Sequence, residues 1–278
     1  MRNFTQVDVF TAIPYRGNPV AVVLDGDDLP TDVMQAFANW TNLSETTFVC
    51  SPTDPDADYR LRIFTPAREI PFAGHPTLGS CHAWLGAGGV PPGDDVVQQC
   101  AIGNVTIRRG DRLAFAAPAP RELRPLDRSE FQRACHVLGI THADVVDHHL
   151  LDNGPVFQVL LVRDAELVHG CRPLLGEMGD GHFAIAAPVA GAEWHLDLRM
   201  FAPGVGVPED PVTGSLNASL AQWLTAADAP PEAALPAAYL AAQGTRLGRA
   251  GRVHVSREGD TVWVGGDVVT VVTGEARC

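Results

Sequence analysis

Short runs of β-branched and apolar residues, many alternating with polar ones, dominate the chain. They predict strands over Val7–Phe10, Pro19–Leu24, Thr46–Cys50, Tyr59–Phe64, Val96–Ile107, Leu113–Ala117, Val156–Val162, Phe183–Ala187, His195–Phe201, Gly251–Ser256 and Thr261–Val272. The run from Tyr59 shows the rule at its cleanest: Tyr59, Leu61 and Ile63 share one face, with Arg60 and Arg62 on the other. Helical periodicity is rarer. It predicts a helix over Thr31–Trp40, after Pro30 and with Thr31-Asp32 as its cap, and an amphipathic surface helix over Ser129–Leu138. Two further helices, Pro76–Leu85 and Ser215–Leu224, are rich in small residues and nearly free of charge. A helix apolar all round is buried on all sides, so each is expected to run through the middle of a curved sheet.

Those two helices sit inside a repeated phrase. Phe64-Thr65-Pro66 leads to Ala73-Gly74-His75-Pro76-Thr77 and an apolar run ending Trp84-Leu85. Phe201-Ala202-Pro203 leads to Asp210-Pro211-Val212-Thr213-Gly214-Ser215 and a run ending Trp223-Leu224. The recurrence falls at half the chain length, which implies two similar domains. The Pro-rich stretch Ala117–Pro125 reads as the linker between them, giving domains over 1–118 and 119–278, with the last strands left open to cross back to the first.

Composition narrows the function classes. With 46% apolar and 19% charged residues the chain is an ordinary globular one, and its net charge of −13 with no basic run excludes a protein that grips a nucleic-acid backbone. No window is apolar for long enough to span a bilayer, and the N-terminus alternates like a strand rather than carrying an apolar leader. The six cysteines, at 50, 81, 100, 135, 171 and 278, show no C-x-x-C spacing and read as reduced core thiols. Cytoplasmic residence follows as the expectation, with no membrane partner.

Candidate chemistry is sparse. Gly74 and Gly214 each open a helix whose first N–H groups can hold an anion; the alternative is that they only permit tight turns beside buried helices. Pro76 suits the first turn, where its missing N–H removes nothing. Glu45 stands where a polar junction enters an apolar strand, as a general acid–base would, or as a loop carboxylate would. Asp210 precedes a proline and could equally be a turn residue. His142, His148 and His149 lack the spacing of a metal site and read as a solvated loop, and Gly244–Gly251 leads into a strand and reads as a turn. No cofactor or metal is implied.

Taken in order, Asn18-Pro19, Asn42-Leu43-Ser44-Glu45-Thr46, the two repeated phrases, and Gln243-Gly244 with Gly248-Arg249 resemble the PhzF-like isomerase family of phenazine biosynthesis over nearly the whole chain. The resemblance implies an α+β, diaminopimelate-epimerase-like fold: two pseudo-symmetric domains, each a curved sheet around a central helix, with the active site between them. It further implies that Glu45 is the acid–base moving a proton on a conjugated ring substrate. His75 and Asp210 would be its active-site partners, and Gly74, Gly214 and Ser215 would hold the substrate carboxylate. It implies a cofactor-independent isomerase of a small, cyclic unsaturated carboxylate, and a homodimer. Two-base epimerases of this fold place a cysteine before each helix-start glycine; here those positions are Ala73 and Thr213. An epimerase using Glu45 with a second base, and a non-catalytic metabolite-binding member, stay open as alternatives.

Overall fold

The computed structural model describes all residues, Met1–Cys278, and the chain forms two compact units. The first comprises Met1–Ala116 and Gly265–Cys278, the second Ala117–Val264. The last strand returns to the first unit.

In the first unit the order is β1 (Arg2–Val9), β2 (Asn18–Val23), α1 (Thr31–Thr41), β3 (Glu45–Cys50), β4 (Tyr59–Phe64), β5 (Glu69–Ile70), α2 (Gly74–Gly86), β6 (Val96–Cys100), β7 (Gly103–Arg108) and β8 (Leu113–Ala116). β1 and β2 are antiparallel, and α1 crosses over to a parallel β3. β4 is antiparallel to β3, α2 crosses over to a parallel β6, and β7 turns back antiparallel. α2 packs on β1, β2, β3 and β8. Its residues Gly74–Cys81 are all buried, as its lack of charge requires. The fit is close: a Cβ at Gly79 would lie 2.4 Å from Val20 Cγ1 and 3.0 Å from Val7 Cγ2.

The second unit repeats the plan after an added strand and helix, β9 (Glu122–Pro125) and α3 (Arg128–Leu138). β10 (Val145–Asp152) and β11 (Val156–Val162) are antiparallel, and α4 (Ala165–Gly170) leads to a parallel β12 (His182–Pro188). β13 (Leu196–Phe201) is antiparallel to β12. α5 (Gly214–Leu224) then crosses over to a parallel β14 (Ala238–Gln243), and β15 (Gly251–Glu258) returns antiparallel. β16 (Thr261–Gly266) carries the chain out of this unit, and β17 (Val268–Ala276) pairs antiparallel with β1.

Several elements depart from their sequence-based bounds for local reasons. The run over 96–107 is two strands, broken by a turn at 101–102, and that over 261–272 is broken at Asp267. The Pro-rich linker contains β9, which pairs with β10. α1 has Pro30 as its N-cap, which supplies no side-chain cap, while Asp32 in the first turn accepts from Val33 N–H at 3.0 Å. α3 starts at Arg128, where Asp127 accepts from the Ser129 and Glu130 N–H groups and Glu130 accepts from Asp127 N–H, a complete capping box. The supposed loop histidines are structured: His148 and His149 lie in β10, and the rings of Phe131 and His148 stack at 4.3 Å. All six cysteines are free and five are buried. No helix is long and apolar enough to cross a membrane.

Candidate active site

Strand register assembles one end of the first unit's site. Val20 of β2 pairs with Glu45 of the parallel β3, so Asn18 and Glu45, the first residues of their strands, stand at the same end of the sheet. Glu45 is delivered there by Asn42, which caps α1 in the left-handed region at φ 56° and lets the chain turn directly into β3. α2 begins beside them. His75 Nε2 lies 3.2 Å from Glu45 Oε2, and His75 Nδ1 lies 3.3 Å from Asn18 Nδ2. The Asn18 amide and the His75 ring are thus within hydrogen-bond distance at Nδ1.

His75 is 5% exposed, and burial drives its pKa down to about 3, against a smaller opposing effect of the Pro19 carbonyl. The ring is therefore neutral near pH 7, and its contact with Glu45 is not an ion pair. A neutral imidazole places no counter-charge beside the Glu45 carboxyl. The start of α2 is open: its N-cap is Ala73, which has no side chain to accept from the first-turn N–H groups. Thr77, one turn in, donates to the Ala73 carbonyl at 3.0 Å and accepts from the buried Gln98 at 3.1 Å, and Tyr59 donates to Gln98 at 3.0 Å.

The second unit builds its helix start on the same plan with different residues. Thr213 is the N-cap of α5, but its hydroxyl donates to Asp210 Oδ2 at 2.6 Å and gives the helix no side-chain cap. The first turn of α5, at Gly214 and Ser215, thus receives no side-chain cap from Thr213. Gln243, fully buried at the end of β14, accepts from Thr213 N–H at 2.9 Å. It also donates to the Asp210 carbonyl at 3.0 Å and to Thr213 Oγ1 at 2.9 Å. Asn217 donates to the Thr213 carbonyl at 2.9 Å, as Thr77 does to Ala73. Beyond Asp210, the adjacent Glu209 is gripped by Arg199 through two bonds of 3.0 and 2.9 Å. Asp210 is thus fixed in backbone and side chain, which a simple turn residue before Pro211 does not require.

The structure brings Glu45, His75 and Gly74 together in the first unit, and Asp210, Gly214 and Ser215 together in the second. Sequence reading quoted Asn18 only as part of the Asn18-Pro19 motif, and missed Gln98 and Asn217 as supports. The available signal was a polar residue at an otherwise apolar position of a buried element, which marks either a satisfied core group or a site. Two grooves lie elsewhere. One of about 480 Å³ is lined by His82, Arg112 and Asp267, and one of about 600 Å³ by Cys171, Arg199 and Glu209. Their charges are already matched, Arg112 to Asp267 at 3.1 Å and Arg199 to Glu209 at 2.9 Å.

A family model described as phenazine biosynthesis-like protein matches residues 7–274. Antisense-enhancing sequence 1 of Schizosaccharomyces pombe is 34% identical over 293 aligned positions, covering 99% of this chain and 98% of that protein. Trans-2,3-dihydro-3-hydroxyanthranilate isomerase of Pseudomonas fluorescens is 32% identical over 265, covering 93% and 91%. Among solved structures, a Bacillus anthracis phenazine biosynthesis protein of the PhzF family aligns at a TM-score of 0.85 and 23% identity, covering 100% of this chain and 99% of that one. A hydroxyproline epimerase from Agrobacterium vitis aligns at 0.63 and 14%, covering 99% and 93%. The fold shared with both is the α+β, diaminopimelate-epimerase-like one.

Proposed function

The chain belongs to the phenazine biosynthesis-like protein family and is an isomerase; from that premise we propose that it moves a proton along a small, cyclic unsaturated carboxylate without a bound cofactor. Glu45 removes the proton from one ring position and returns it at another, shifting a double bond. His75, buried and neutral, lies against the Glu45 carboxyl and positions it. Gly74, Gly214 and Ser215 present backbone N–H groups to the substrate carboxylate, and Asp210 orients the ring.

The observation that carries this reading is the 3.2 Å approach of Glu45 to a buried, uncharged histidine at an uncapped helix start. A proton shift needs one group that both gives and retakes a proton, and fixed donors opposing the charge that develops. Glu45 and the backbone N–H groups of the helix starts are the groups assigned to these parts in this reading.

The test is turnover in deuterated water with trans-2,3-dihydro-3-hydroxyanthranilate, the compound in the relatives' name, and with other cyclic unsaturated carboxylates, followed by proton NMR. The wild-type chain is expected to incorporate deuterium as the double bond moves. Glu45→Gln is expected to slow this by roughly 10²–10⁴-fold. Unchanged turnover in Glu45→Gln would remove Glu45 from the role, and inversion of a stereocentre without movement of a double bond would make the protein an epimerase instead. Size-exclusion chromatography with light scattering tests the homodimer proposed alongside.

A further inference from the structure

Each buried crossover helix is held at its start by a fully buried glutamine from the strand that follows it. In the first unit Tyr59 donates to Gln98 of β6, Gln98 donates to Thr77, and Thr77 donates to the Ala73 carbonyl. In the second, Gln243 of β14 donates to Thr213, and Thr213 donates to Asp210 Oδ2. The two chains of donors differ in where they end. One closes on a backbone carbonyl, the other on a carboxylate.

Backbone groups fix the direction of the second chain. Thr213 N–H can only donate, so the atom it meets at 2.9 Å is Gln243 Oε1, and Asn217 Nδ2 adds a second donor there at 3.4 Å. The Asp210 carbonyl can only accept, so the atom 3.0 Å from it is Gln243 Nε2. The other Nε2 proton goes to Thr213 Oγ1 at 2.9 Å. The Thr213 hydroxyl, already an acceptor, gives its own proton to Asp210 Oδ2 at 2.6 Å, the length of a charge-assisted bond to an ionised carboxylate. Holding the backbone does not require this last bond. Gln243 already ties Thr213 N–H to the Asp210 carbonyl, and Asp210 N–H donates to the Met200 carbonyl at 2.9 Å. A Cβ at Gly251 would lie 2.3 Å from Val212 Cγ2, so β15 also wedges the segment from below. What the hydroxyl adds is control of the Asp210 side chain: one oxygen is fixed as an acceptor, and the carboxylate is kept from rotating.

We propose that Thr213 is a positioning residue for the reaction, its hydroxyl aimed by Gln243, so that Asp210 meets the substrate as an oriented carboxylate. This rests on the reading of Asp210 as the group that orients the ring. Thr213 touches no reacting atom and acts only through Asp210. Loss of its hydroxyl therefore belongs in the rate of the proton shift rather than in capture of the substrate, whose carboxylate is assigned to the helix N–H groups.

The test is steady-state kinetics with trans-2,3-dihydro-3-hydroxyanthranilate, with thermal unfolding of each protein measured alongside. Thr213→Val keeps the shape and removes the hydroxyl, and it is expected to lower kcat by about 10–100-fold while KM stays within about threefold. Thr213→Ser keeps the hydroxyl and is expected to hold kcat within about threefold of wild type. Should Thr213→Val not fold, Thr213→Ala is read in its place, since Ala73 is the N-cap of the corresponding helix in the first unit. An unchanged kcat in Thr213→Val, even with a lowered unfolding temperature, would make the hydroxyl merely structural. Thr213→Ser as slow as Thr213→Val, or a rise in KM without a fall in kcat, would likewise overturn the proposal. Each of these leaves the proton-transfer reading standing, because the wild type still turns over; a wild type without turnover would overturn both.

Discussion

His75 shows how far burial alone can set a residue's role. Its ring would titrate near 6.5 in water, and its burial holds the folded value at about 3. Between those two values the unfolded chain carries a proton that the folded chain refuses, so acid favours unfolding across that interval. The stabilising contribution of the neutral ring is complete above about pH 6.5 and is lost as pH falls toward 3. Urea denaturation at pH 7 and at pH 4.5 should therefore show a smaller loss of stability on acidification in His75→Gln than in the wild type. The His75 Cε1 proton resonance should also stay fixed from pH 8 to pH 5. A resonance moving with a midpoint near 6.5 would show a solvated ring and remove the neutral ring from beside Glu45. The same reasoning separates Glu45 from the exposed carboxylates: what distinguishes it is the neighbour 3.2 Å away, not its residue type.

At the scale of single elements, α2 sets two opposing effects against each other at Gly79. Glycine inside a helix costs about 1 kcal/mol relative to alanine, so helix preference alone favours Gly79→Ala. A Cβ there would meet Val20 Cγ1 at 2.4 Å and both Val7 and Val9 at about 3 Å, and overpacking costs about 1–3 kcal/mol. The clash wins, so Gly79→Ala should lower the denaturation midpoint, whereas Gly86→Ala, with nothing within 4 Å, should raise stability by about 0.4–1 kcal/mol. A Gly79→Ala protein more stable than wild type would mean that α2 is not wedged against β1 and β2. The buried crossover helices were legible in the sequence because a stretch nearly without charge has no solvent-facing solution; their starts lay one or two residues earlier than read, at Gly74 and Gly214. β10 was not legible, because Asp147, His148 and His149 break the apolar pattern; the rings of His148 and His149 pack on Phe131 and Trp223 from elsewhere in the unit, and Asp147 accepts from His148 N–H. β14 was missed for a different reason: Ala238–Gln243 is rich in alanine, a poor strand former, and it becomes a strand by pairing between β13 and β15. In the candidate site, the charged and glycine positions stood out in sequence. The amide supports Gln98 and Gln243 did not stand out as supports, since a lone buried glutamine has no signature until its partners are folded around it.

Across the whole chain, the two units share one alternation of strand pairings, antiparallel, parallel, antiparallel, parallel, antiparallel, with a helix at each parallel step. The duplication is incomplete in one respect that matters for folding: the first unit is made from both ends of the chain. β17 pairs with β1 over eight positions from Arg2↔Ala276 to Val9↔Val268, and Thr270 bonds His82 of α2 at 2.9 Å. At roughly 0.2–1 kcal/mol per cross-strand pair, those eight contribute about 2–8 kcal/mol. That is a large part of the roughly 5–15 kcal/mol that keeps a domain folded. Removing β17 would also turn β1 into an open edge while Val7 and Val9, both fully buried, depend on β1 holding its place over Gly79. A chain ending at Val264 should therefore lose amide protection throughout β1, β2 and α2, while β11, β12 and β13 of the second unit keep theirs. Hydrogen exchange read by mass spectrometry resolves the two outcomes peptide by peptide. Unchanged protection in β1 and α2 would mean that the first unit is complete without its last strand, and that the return of the chain after Val264 is incidental to the stability of the helix start that carries His75.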